Sequence, residues 1–498
     1  MADAREKLDC PDSEIVFAFT YAVGTDAQKV EQFLSTYLHN KYNYELHEVR
    51  LSDYLKEFFP NQDFDSPNKC ARWNKCMDFG TRLRRNSKNE DIFAWVAAAK
   101  ILARRQSKTP DGKLSNTLHL IRSLKRPEEV HALRKIYGSG FFLIGLYSSF
   151  RNRLNYLSNE MMIPDKEAKG LIKKDADEKI EFGQQTTNTF ELADVFIDYE
   201  DTRAMRRFVD LVFGSPIIPP TAVEEAMHLA YAASTRSAEL SRQVGAAILA
   251  ESGDVLGIGA NEVPAAGGGQ YGRGASISSS MRDFEFDKKC DVNHSERARI
   301  VESVKANVAK SLGINDGRRL SKIKSALEKT DVKGITEFGR SVHAEMEAIL
   351  SCARNGISTR GAILFSTTFP CHNCARHIID AGIKEVYFIE PYPKSRALDL
   401  HIDAIMIQGE EGDEDSAKGR VVFRPFIGVG PRRYFDLFSM RLGSGRALIR
   451  KKEDGTAITD NQNLGPRVQL YPTSYIEREK LCMLILKSLR PKRARRTG

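Results

Sequence analysis

The sequence predicts an α/β protein of two domains. Its 498 residues exceed the usual size of one hydrophobic core. In residues 1–215, short apolar segments alternate with segments of helical spacing, which is typical of a parallel sheet covered by helices. A second alternating series follows the proline-rich junction PIIPPT. We therefore expect an N-terminal domain at 1–215, a second domain at 221–440 and a C-terminal extension with a basic tail at 441–498.

The first predicted unit is a strand, a glycine turn and a helix within the segment EIVFAFTYAVGTDAQKVEQFL. This order places the turn where a phosphate-binding P-loop, G-x-x-x-x-G-K-[ST], would lie. Gly24 fits the second glycine, but Phe19 stands at the first. Thr25 replaces the lysine and Asp26 takes the Ser/Thr position, where its carboxylate stabilises the helix dipole and repels phosphate. The P-loop is therefore degenerate, and phosphoryl transfer is not expected.

Further alternation supports the same fold. TLHLI and FFLIGLYSS read as buried strands on either side of the helix RPEEVHALRKIYG, which has Pro127 in its first turn and Gly138 at its end. LIKKDADE and FELADVFI extend the series, with an acidic loop as the alternative for DADE. The prediction is a P-loop kinase-like domain with a parallel sheet and a regulatory role. A plain α/β scaffold is the alternative.

The composition of the sequence indicates the cellular compartment of the protein. No apolar run is long enough to span a bilayer, and the charged N-terminus lacks the apolar core of a secretory signal. The eight cysteines are scattered apart from two close pairs, which fits a reducing compartment. Part of the net charge of +9 lies in the tail KSLRPKRARRTG, a run more typical of a solvated tail than of a binding surface. We expect a cytoplasmic protein without a membrane partner.

The second domain carries a metal-binding pattern. The buried strand GAILFSTT leads to Pro370 and Cys371, and CHNCARHIIDAG reads as a helix. Cys371 and Cys374 then lie one turn apart at the helix start, which favours thiolates, the form that binds metal. With His343 as the third ligand, a fourth tetrahedral position remains for water, as in catalytic rather than structural zinc sites. We therefore expect Zn²⁺ as the cofactor.

Glu345, two residues after His343, is the expected catalytic proton carrier between the water, the ring nitrogen and the departing amine. HAE followed by PCHNC reproduces the nucleobase-deaminase signature H-x-E…P-C-x-x-C. A redox pair would not require the preceding HAE, and a structural zinc site would need a fourth ligand, for which His372 or His377 is the alternative. The pattern therefore favours hydrolytic deamination.

A family resemblance is carried by the segments SRQVGAAI, GANEVPAAGGGQY, EFGRSVHAEMEAI, TTFPCHNCARHIIDAGI, EPYPKSRALDLH and FRPFIGVGPRRYFDLF. Through them the second domain resembles the deoxycytidylate deaminase branch of the cytidine deaminase superfamily, and the whole chain resembles the bacterial anti-phage dCTP deaminases. The resemblance implies a cytidine-deaminase-like three-layer α/β/α domain, here with an insertion around residues 267–335. It also implies conversion of dCTP or dCMP into a deoxyuridine nucleotide and ammonia, which depletes deoxycytidine nucleotides during phage infection.

The resemblance assigns further residues to the substrate. Asn261 matches the family asparagine that meets the sugar hydroxyl, and Glu262 beside it would bond sugar or base. Lys394, Ser395 and Arg396 follow the strand after the metal helix. The charges of this lysine and arginine would suit a di- or triphosphate. A turn-forming role for the first two residues, and a solvated loop for the other three, are the alternatives.

Free deoxycytidine nucleotides are thus the expected substrates, and we expect a homo-oligomer. A nucleotide effector at the N-terminal domain, and a regulatory RNA or protein inhibitor, are the other expected partners. Two further functions stay open. One is a polynucleotide cytidine deaminase, for which the basic tail is the best feature. The other is a nucleotide-sensing regulator with a vestigial deaminase site, against which the intact HAE and PCHNC motifs stand.

Overall fold

The fold was taken from a computed structural model of the chain. The structure describes residues 12–109, 114–176, 178, 180–271, 282, 291–330, 332, 338–390, 395–409, 419–444, 447–452, 454, 456–458 and 465–470. These residues form two compact units, the first within Met1–Thr221 and Ile427–Gly498, the second within Ala222–Phe426. In the described ranges, no helix combines the length and the apolar character that crossing a membrane requires.

The first unit is built on a parallel sheet. Its strands up to the junction are β1 (Ile15–Tyr21), β2 (Glu45–Arg50), β3 (Thr117–Arg122), β4 (Phe141–Tyr147) and β5 (Val195–Asp198). The sheet order is β5-β4-β1-β3-β2, and every one of these pairings is parallel. β1 lies in the middle, so that Phe17 has Leu120 of β3 on one side and Phe142 of β4 on the other. A strand buried on both faces reads as a continuous apolar run, which explains IVFAFTY and FFLIGLY.

Helices connect these strands and cover the sheet. They are α1 (Ala27–Tyr42), α2 (Leu55–Phe58), α3 (Lys69–Ser87), α4 (Ile92–Lys108), α5 (Pro127–Tyr137), α6 (Phe150–Asn155), α7 (Asp165–Ala176), α8 (Thr186–Phe190) and α9 (Thr202–Val212), with 3₁₀ turns at Leu51–Tyr54 and Gly138–Gly140 and a π turn at Tyr156–Glu160. One part of the core is aromatic: the ring of Phe208 on α9 lies 5.5 Å from that of Phe17 and 5.8 Å from that of Phe142.

The second unit has its own six-stranded sheet. Its strands are β6 (Gly245–Leu249), β7 (Val255–Ala260), β8 (Ile363–Thr368), β9 (Glu385–Glu390), β10 (Ile405–Ile407) and β11 (Val421–Pro425). The order is β10-β11-β9-β8-β6-β7. β8, β9, β11 and β10 run parallel, whereas β6 pairs antiparallel with both β7 and β8. Both units therefore combine helices with a sheet that is mostly parallel, which confirms the predicted α/β class.

The helices of the second unit are α10 (Ala222–Ser234), α11 (Val292–Leu312), α12 (Gly317–Leu327), α13 (Ala344–Arg354), α14 (His372–Asp380) and α15 (Ala397–Leu400). α10 packs on β6, and α13 packs on β6 and β7. α11 and α12, which pack on each other, lie in the segment that the sequence marks as an insertion. α13 and α14 carry the predicted metal ligands at their N-terminal ends.

After Phe426 the chain returns to the first unit. It adds β12 (Gly428–Val429), antiparallel to β5, then a 3₁₀ turn at Pro431–Arg433 and α16 (Tyr434–Phe438). Further along, the guanidinium of the buried Arg467 donates to the carbonyls of Leu437 and Ser439. The neighbouring Val468 is fully buried in the core of the first unit. This returning segment therefore supplies an edge strand and core side chains to a sheet that begins more than 400 residues earlier.

Glycine sets the distance between β7 and α13. A Cβ built on Gly259 would meet the carbonyl oxygen of Ala344 and would lie 2.5 Å from the backbone nitrogen of Ala348. A Cβ on Gly257 would lie 2.6 Å from Sγ of Cys352. These distances are shorter than real Cβ contacts, and the neighbours at Gly259 are backbone atoms. We call this contact, at Gly257 and Gly259, the glycine seam. There the helix that begins beside His343 lies directly on the strand backbone.

Replacing Gly259 with Ala is expected to destabilise the second unit by about 1–3 kcal/mol, because the added methyl group must push α13 away from the sheet. The displacement moves His343, so zinc content should fall as well. Circular dichroism melting and metal analysis of the purified protein check both effects. Gly317→Ala is the matched control, since nothing lies within 4 Å of a Cβ at that position. Wild-type melting and zinc content in the Gly259 variant would contradict the close approach.

Candidate functional site

Two helix N-termini carry the candidate site. His343 is the N-cap residue of α13, with extended backbone angles of φ −67° and ψ 153°, and Glu345 lies in the first turn. β8 ends at Thr368, and Cys371 is the N-cap residue of α14. The Cys371 sulfur accepts a hydrogen bond from the backbone N–H of Cys374 at 3.5 Å. Both motifs thus form as the local sequence predicts, and the sheet brings the two helix ends together.

The histidine and the two cysteines form one cluster. Nδ1 of His343 lies 3.3 Å from Sγ of Cys371 and 3.3 Å from Sγ of Cys374, and all three candidate ligand atoms lie within 4.8 Å of one another. With Zn–N near 2.0 Å and Zn–S near 2.3 Å, tetrahedral zinc places a nitrogen and a sulfur ligand about 3.5 Å apart. Both cysteines are buried and the histidine is half-buried. The donor set and its spacing therefore fit Zn²⁺.

The pKa values of all three candidate ligands are strongly shifted. Hydrogen bonding to Cys374 lowers the pKa of the Cys371 thiol to about 4, although burial opposes this shift. The hydrogen bond with Cys371 raises the pKa of His343 to about 9. The pKa of Cys374 is raised well above its ordinary value by its hydrogen bond to Cys371 and by burial. The three groups thus share protons at short range, and a divalent cation that binds them replaces those protons.

Glu345 is buried directly beside the cluster. One carboxylate oxygen accepts a hydrogen bond from Sγ of Cys374 at 3.4 Å, and the other accepts from the hydroxyl of Ser366 at 3.4 Å. Burial raises the pKa of Glu345 above its ordinary value. A carboxyl group with a raised pKa suits a residue that both takes up and releases a proton near neutral pH.

Ser366 is a residue that sequence reasoning missed. It is fully buried in β8, and its hydroxyl orients the Glu345 carboxylate. The sequence signal for it is a serine that directly follows the apolar residues at the start of ILFSTT, because a buried hydroxyl group needs a hydrogen-bond partner.

The two histidines considered as alternative ligands, His372 and His377, lie outside the cluster in the described part of the chain. Nδ1 of His377 instead contacts the carbonyl of Asn373 at 2.7 Å.

Asn261 lies half-buried at the end of β7 and joins two backbone segments. Its Oδ1 accepts from the N–H of Val244 at 2.7 Å, and its Nδ2 donates to the carbonyl of Arg242 at 2.8 Å. The side chain therefore holds the loop that precedes β6. This contact matches the turn-forming alternative and leaves Oδ1 with capacity for a second hydrogen bond.

Glu262 is buried, and its carboxylate is largely used by the backbone. The N–H of Ala238 donates to one oxygen and the N–H of Val263 to the other, each at 3.0 Å. Its main chain also pairs with Val342, the residue before His343. Glu262 thus ties the strand end beside Asn261 to the segment that presents the histidine.

The segment after β9 is partly described. Lys394 lies outside the described residues. The hydroxyl of Ser395 donates to the carbonyl of Pro370 at 2.8 Å, directly before Cys371, and accepts from the N–H of Ala397. Arg396 is exposed, and its guanidinium lies 3.9 Å from Asp399. Ser395 therefore contacts the residue directly before Cys371, whereas the side chain of Arg396 is exposed to solvent.

The turn after β1 in the first unit contains the remaining predicted site residues. Gly24 has a left-handed φ of +93°, and a Cβ there would lie 2.8 Å from the carbonyl oxygen of Arg153. The side chain of Asp26 caps α1 by accepting from the N–H of Lys29 at 3.4 Å. Thr25 is buried. The turn therefore joins β1 to α1, and the carboxylate of Asp26 lies at the start of the helix.

Comparison with known proteins adds a family match. Residues 220–390 match the sequence model of the cytidine and deoxycytidylate deaminase zinc-binding region. This range contains both motifs of the cluster, HAE and PCHNC.

Individual relatives and solved structures are similar to parts of the chain. The deoxycytidylate deaminase of Enterobacteria phage T4 is 30% identical over 170 residues, which cover 34% of this chain and 78% of the relative. ComE operon protein 2 of Bacillus subtilis (strain 168) is 51% identical over 53 residues, 11% of this chain, and the chain spans only 28% of that relative. Among solved structures, the dCMP deaminase of cyanophage S-TIM5 in complex with dCMP and dUMP is 19% identical, with a TM-score of 0.24, covering 42% of this chain and 98% of that one.

Proposed function

Because the chain belongs to the cytidine and deoxycytidylate deaminase family, we propose that it deaminates free deoxycytidine nucleotides, dCTP, dCMP or both, by hydrolysis. Water and the nucleotide give the deoxyuridine nucleotide and ammonia. The observation that carries the proposal is the cluster of His343, Cys371 and Cys374 with the carboxylate of Glu345 beside it. These are the zinc ligands and the proton carrier that the reaction requires.

In the proposed mechanism, His343, Cys371 and Cys374 hold the metal. A zinc ion bound there supplies activation of water for attack at neutral pH. Glu345 takes a proton from the attacking water and delivers it to the ring nitrogen, while the water oxygen bonds to the amino-bearing ring carbon. It then carries the second proton to the amino group, which leaves as ammonia when the carbon–nitrogen bond breaks. The hydroxyl of Ser366 keeps the carboxylate in place during both transfers.

The substrate contacts are also proposals. We propose that Asn261 meets the sugar hydroxyl through the free capacity of its Oδ1, and that Glu262 holds this strand end against the segment of His343. Ser395 orients the loop before Cys371, and Lys394 and Arg396 attract the phosphates by charge. Support for a role in phage defence, by depletion of deoxycytidine nucleotides, is the resemblance of the whole chain to the anti-phage dCTP deaminases.

A substrate panel tests the proposal. The zinc-loaded full chain is incubated separately with dCTP, dCMP and a cytosine-containing single-stranded DNA, and products are identified by mass spectrometry and ammonia release. We expect a deoxyuridine nucleotide from dCTP, dCMP or both, and no uracil in the DNA. Turnover of the DNA alone would replace the proposal with a polynucleotide deaminase. No turnover of any substrate, with zinc bound, would favour a vestigial site.

A further inference from the structure

A cavity of about 390 Å³ lies at the carboxyl ends of the central strands in the first unit. Its wall includes the residues that follow β1, β2 and β3, and one face of α3. In open α/β sheets, ligands bind outside the carboxyl ends of the strands. The volume lies within the range of about 300–1,000 Å³ that is usual for small-molecule sites. The position and size therefore point to a ligand site that is separate from the metal cluster of the second unit.

The anion position next to α1 is already filled by the protein. The N–H of Val23 donates to Oδ2 of Asp175 at 2.9 Å, and Nζ of Lys125 lies 2.8 Å from Oδ1 of the same carboxylate. The Asp175 side chain is fully buried. Together with the capping carboxylate of Asp26, it occupies the backbone donor and the cation that a phosphate would need there. A phosphate must therefore bind elsewhere in the cavity.

Two cations on α3 that form no ion pair among the described residues also line the cavity. Within the described ranges, Arg72 and Lys69 make no ion pair: Arg72 donates to the carbonyl of Phe64 at 3.0 Å, and Nζ of Lys69 lies 3.0 Å from the sulfur of Met161. Arg84, deeper on the same helix, is by contrast ion-paired with Glu129 at 2.6 Å. Lys69 is exposed and Arg72 half-exposed, so their charge is offered at the open end of the cavity.

Buried polar atoms of the cavity wall are left without partners. They include Nη1 of Arg84, Oε1 of Gln184 and Oγ1 of Thr25, whose residues are only 2%, 4% and 7% exposed. Nε of Arg122, a residue that is otherwise ion-paired with Glu48, is another. An unpaired buried polar atom costs free energy unless a ligand or water satisfies it. The set offers a donor, an acceptor and a hydroxyl that can do either, which suits the mixed polar edge of a nucleobase. Trp73 and Tyr21 in the same wall offer aromatic surface for stacking.

We propose that this cavity binds a nucleoside phosphate, with the base among the buried polar atoms and the phosphates on Arg72 and Lys69 at the open end. The guanidinium and ammonium groups replace the backbone cradle that Asp175 and Asp26 occupy. The site binds and does not transfer phosphate. The inference does not depend on the deamination reaction, because every residue that carries it belongs to the first unit.

Tryptophan fluorescence tests the site directly, because the chain has two tryptophans and Trp73 lines the cavity. The other, Trp95, is 48% exposed and outside the lining, so Trp95→Phe leaves Trp73 as the single reporter. Glu345→Gln is added to prevent turnover. dCTP, dTTP, ATP and GTP are titrated into this full-length protein, with inorganic tripolyphosphate and 2′-deoxycytidine as partial ligands. We expect saturable quenching by at least one nucleotide, and weaker binding of both partial ligands.

Arg72→Ala in the same background should weaken nucleotide binding about tenfold or more, because it removes a charge-assisted contact. Arg85→Ala, an exposed arginine on the same helix outside the cavity lining, should bind as the parent does. Melting curves confirm that both variants fold and show the ligand-induced rise of the melting temperature. The proposal is overturned if no nucleotide gives saturable quenching or raises the melting temperature. Tripolyphosphate binding as tightly as the nucleotides, or unchanged affinity in the Arg72 variant, would overturn it too.

Discussion

Replacing Glu345 with Gln is expected to lower kcat/KM for deoxycytidine nucleotide deamination by about 10²- to 10⁴-fold, the usual contribution of general acid–base catalysis. The amide has the shape of the carboxyl group and can still accept from the hydroxyl of Ser366. It cannot take a proton from water and return it to the leaving amine. Steady-state kinetics with the nucleotide that the substrate panel identifies measure the loss.

The zinc content of the Glu345 variant should stay at the wild-type level, since the carboxylate is not a member of the ligand cluster. Glu347→Gln is the matched control: Glu347 is equally buried two residues further along α13, and its carboxylate pairs with Arg354 at 2.6 Å. That variant should lose stability and keep its activity per folded molecule. Full activity without the Glu345 carboxylate, or loss of zinc with it, would show that the assigned role is wrong.

Replacing Cys371 with Ser should abolish zinc binding and activity together. Serine is a favoured N-cap residue, so its hydroxyl can accept the N–H of Cys374 as the cysteine sulfur does, and α14 keeps its start. What is lost is a thiolate, the form of the side chain that binds zinc. Because metal binding stabilises the folded state, the melting temperature should fall as well. Metal analysis of the purified protein, kinetics and melting curves measure the three effects.

Cys352→Ala is the control for the Cys371 variant. Cys352 is a fully buried cysteine on α13 that lies outside the ligand cluster. Its truncation should cost stability through lost packing and leave zinc content unchanged. Equal zinc content in the Cys371 variant and the wild type would show that Cys371 is not a ligand. The arrangement of three protein ligands and one open position, on which the mechanism depends, would then be wrong.

The parts of the fold that the sequence predicts are those in which local rules and tertiary packing agree. β1 and β4 are nearly continuous apolar runs in a sheet covered on both faces, and α5 has its proline and its terminal glycine where the sequence predicts them. The candidate ligands were predictable for the same reason. Each motif is short, and each begins a helix whose start fixes the side chains relative to one another.

Contacts between distant parts of the chain were not predictable. The carboxylate of Asp175, in the segment DADE where an acidic loop was the alternative, lies at the end of α7 and binds the N–H of Val23 from 152 residues away. The return of the chain to β12 is similar, since two residues, Gly428 and Val429, make the strand and carry no periodic signal. The role of Ser366 follows only from its contact with Glu345, which the sequence alone does not show.

The glycine seam between β7 and α13 bears on how the candidate site can change over evolutionary time. Most helix–sheet interfaces tolerate substitution because neighbouring side chains rearrange, but here main chain meets main chain at Gly259 and no intervening atoms exist to rearrange. The histidine half of the metal site is consequently held at one spacing from the strand. Under the proposed function, a change of nucleotide specificity would have to come from the surrounding loops, with the spacing of helix and strand unaltered.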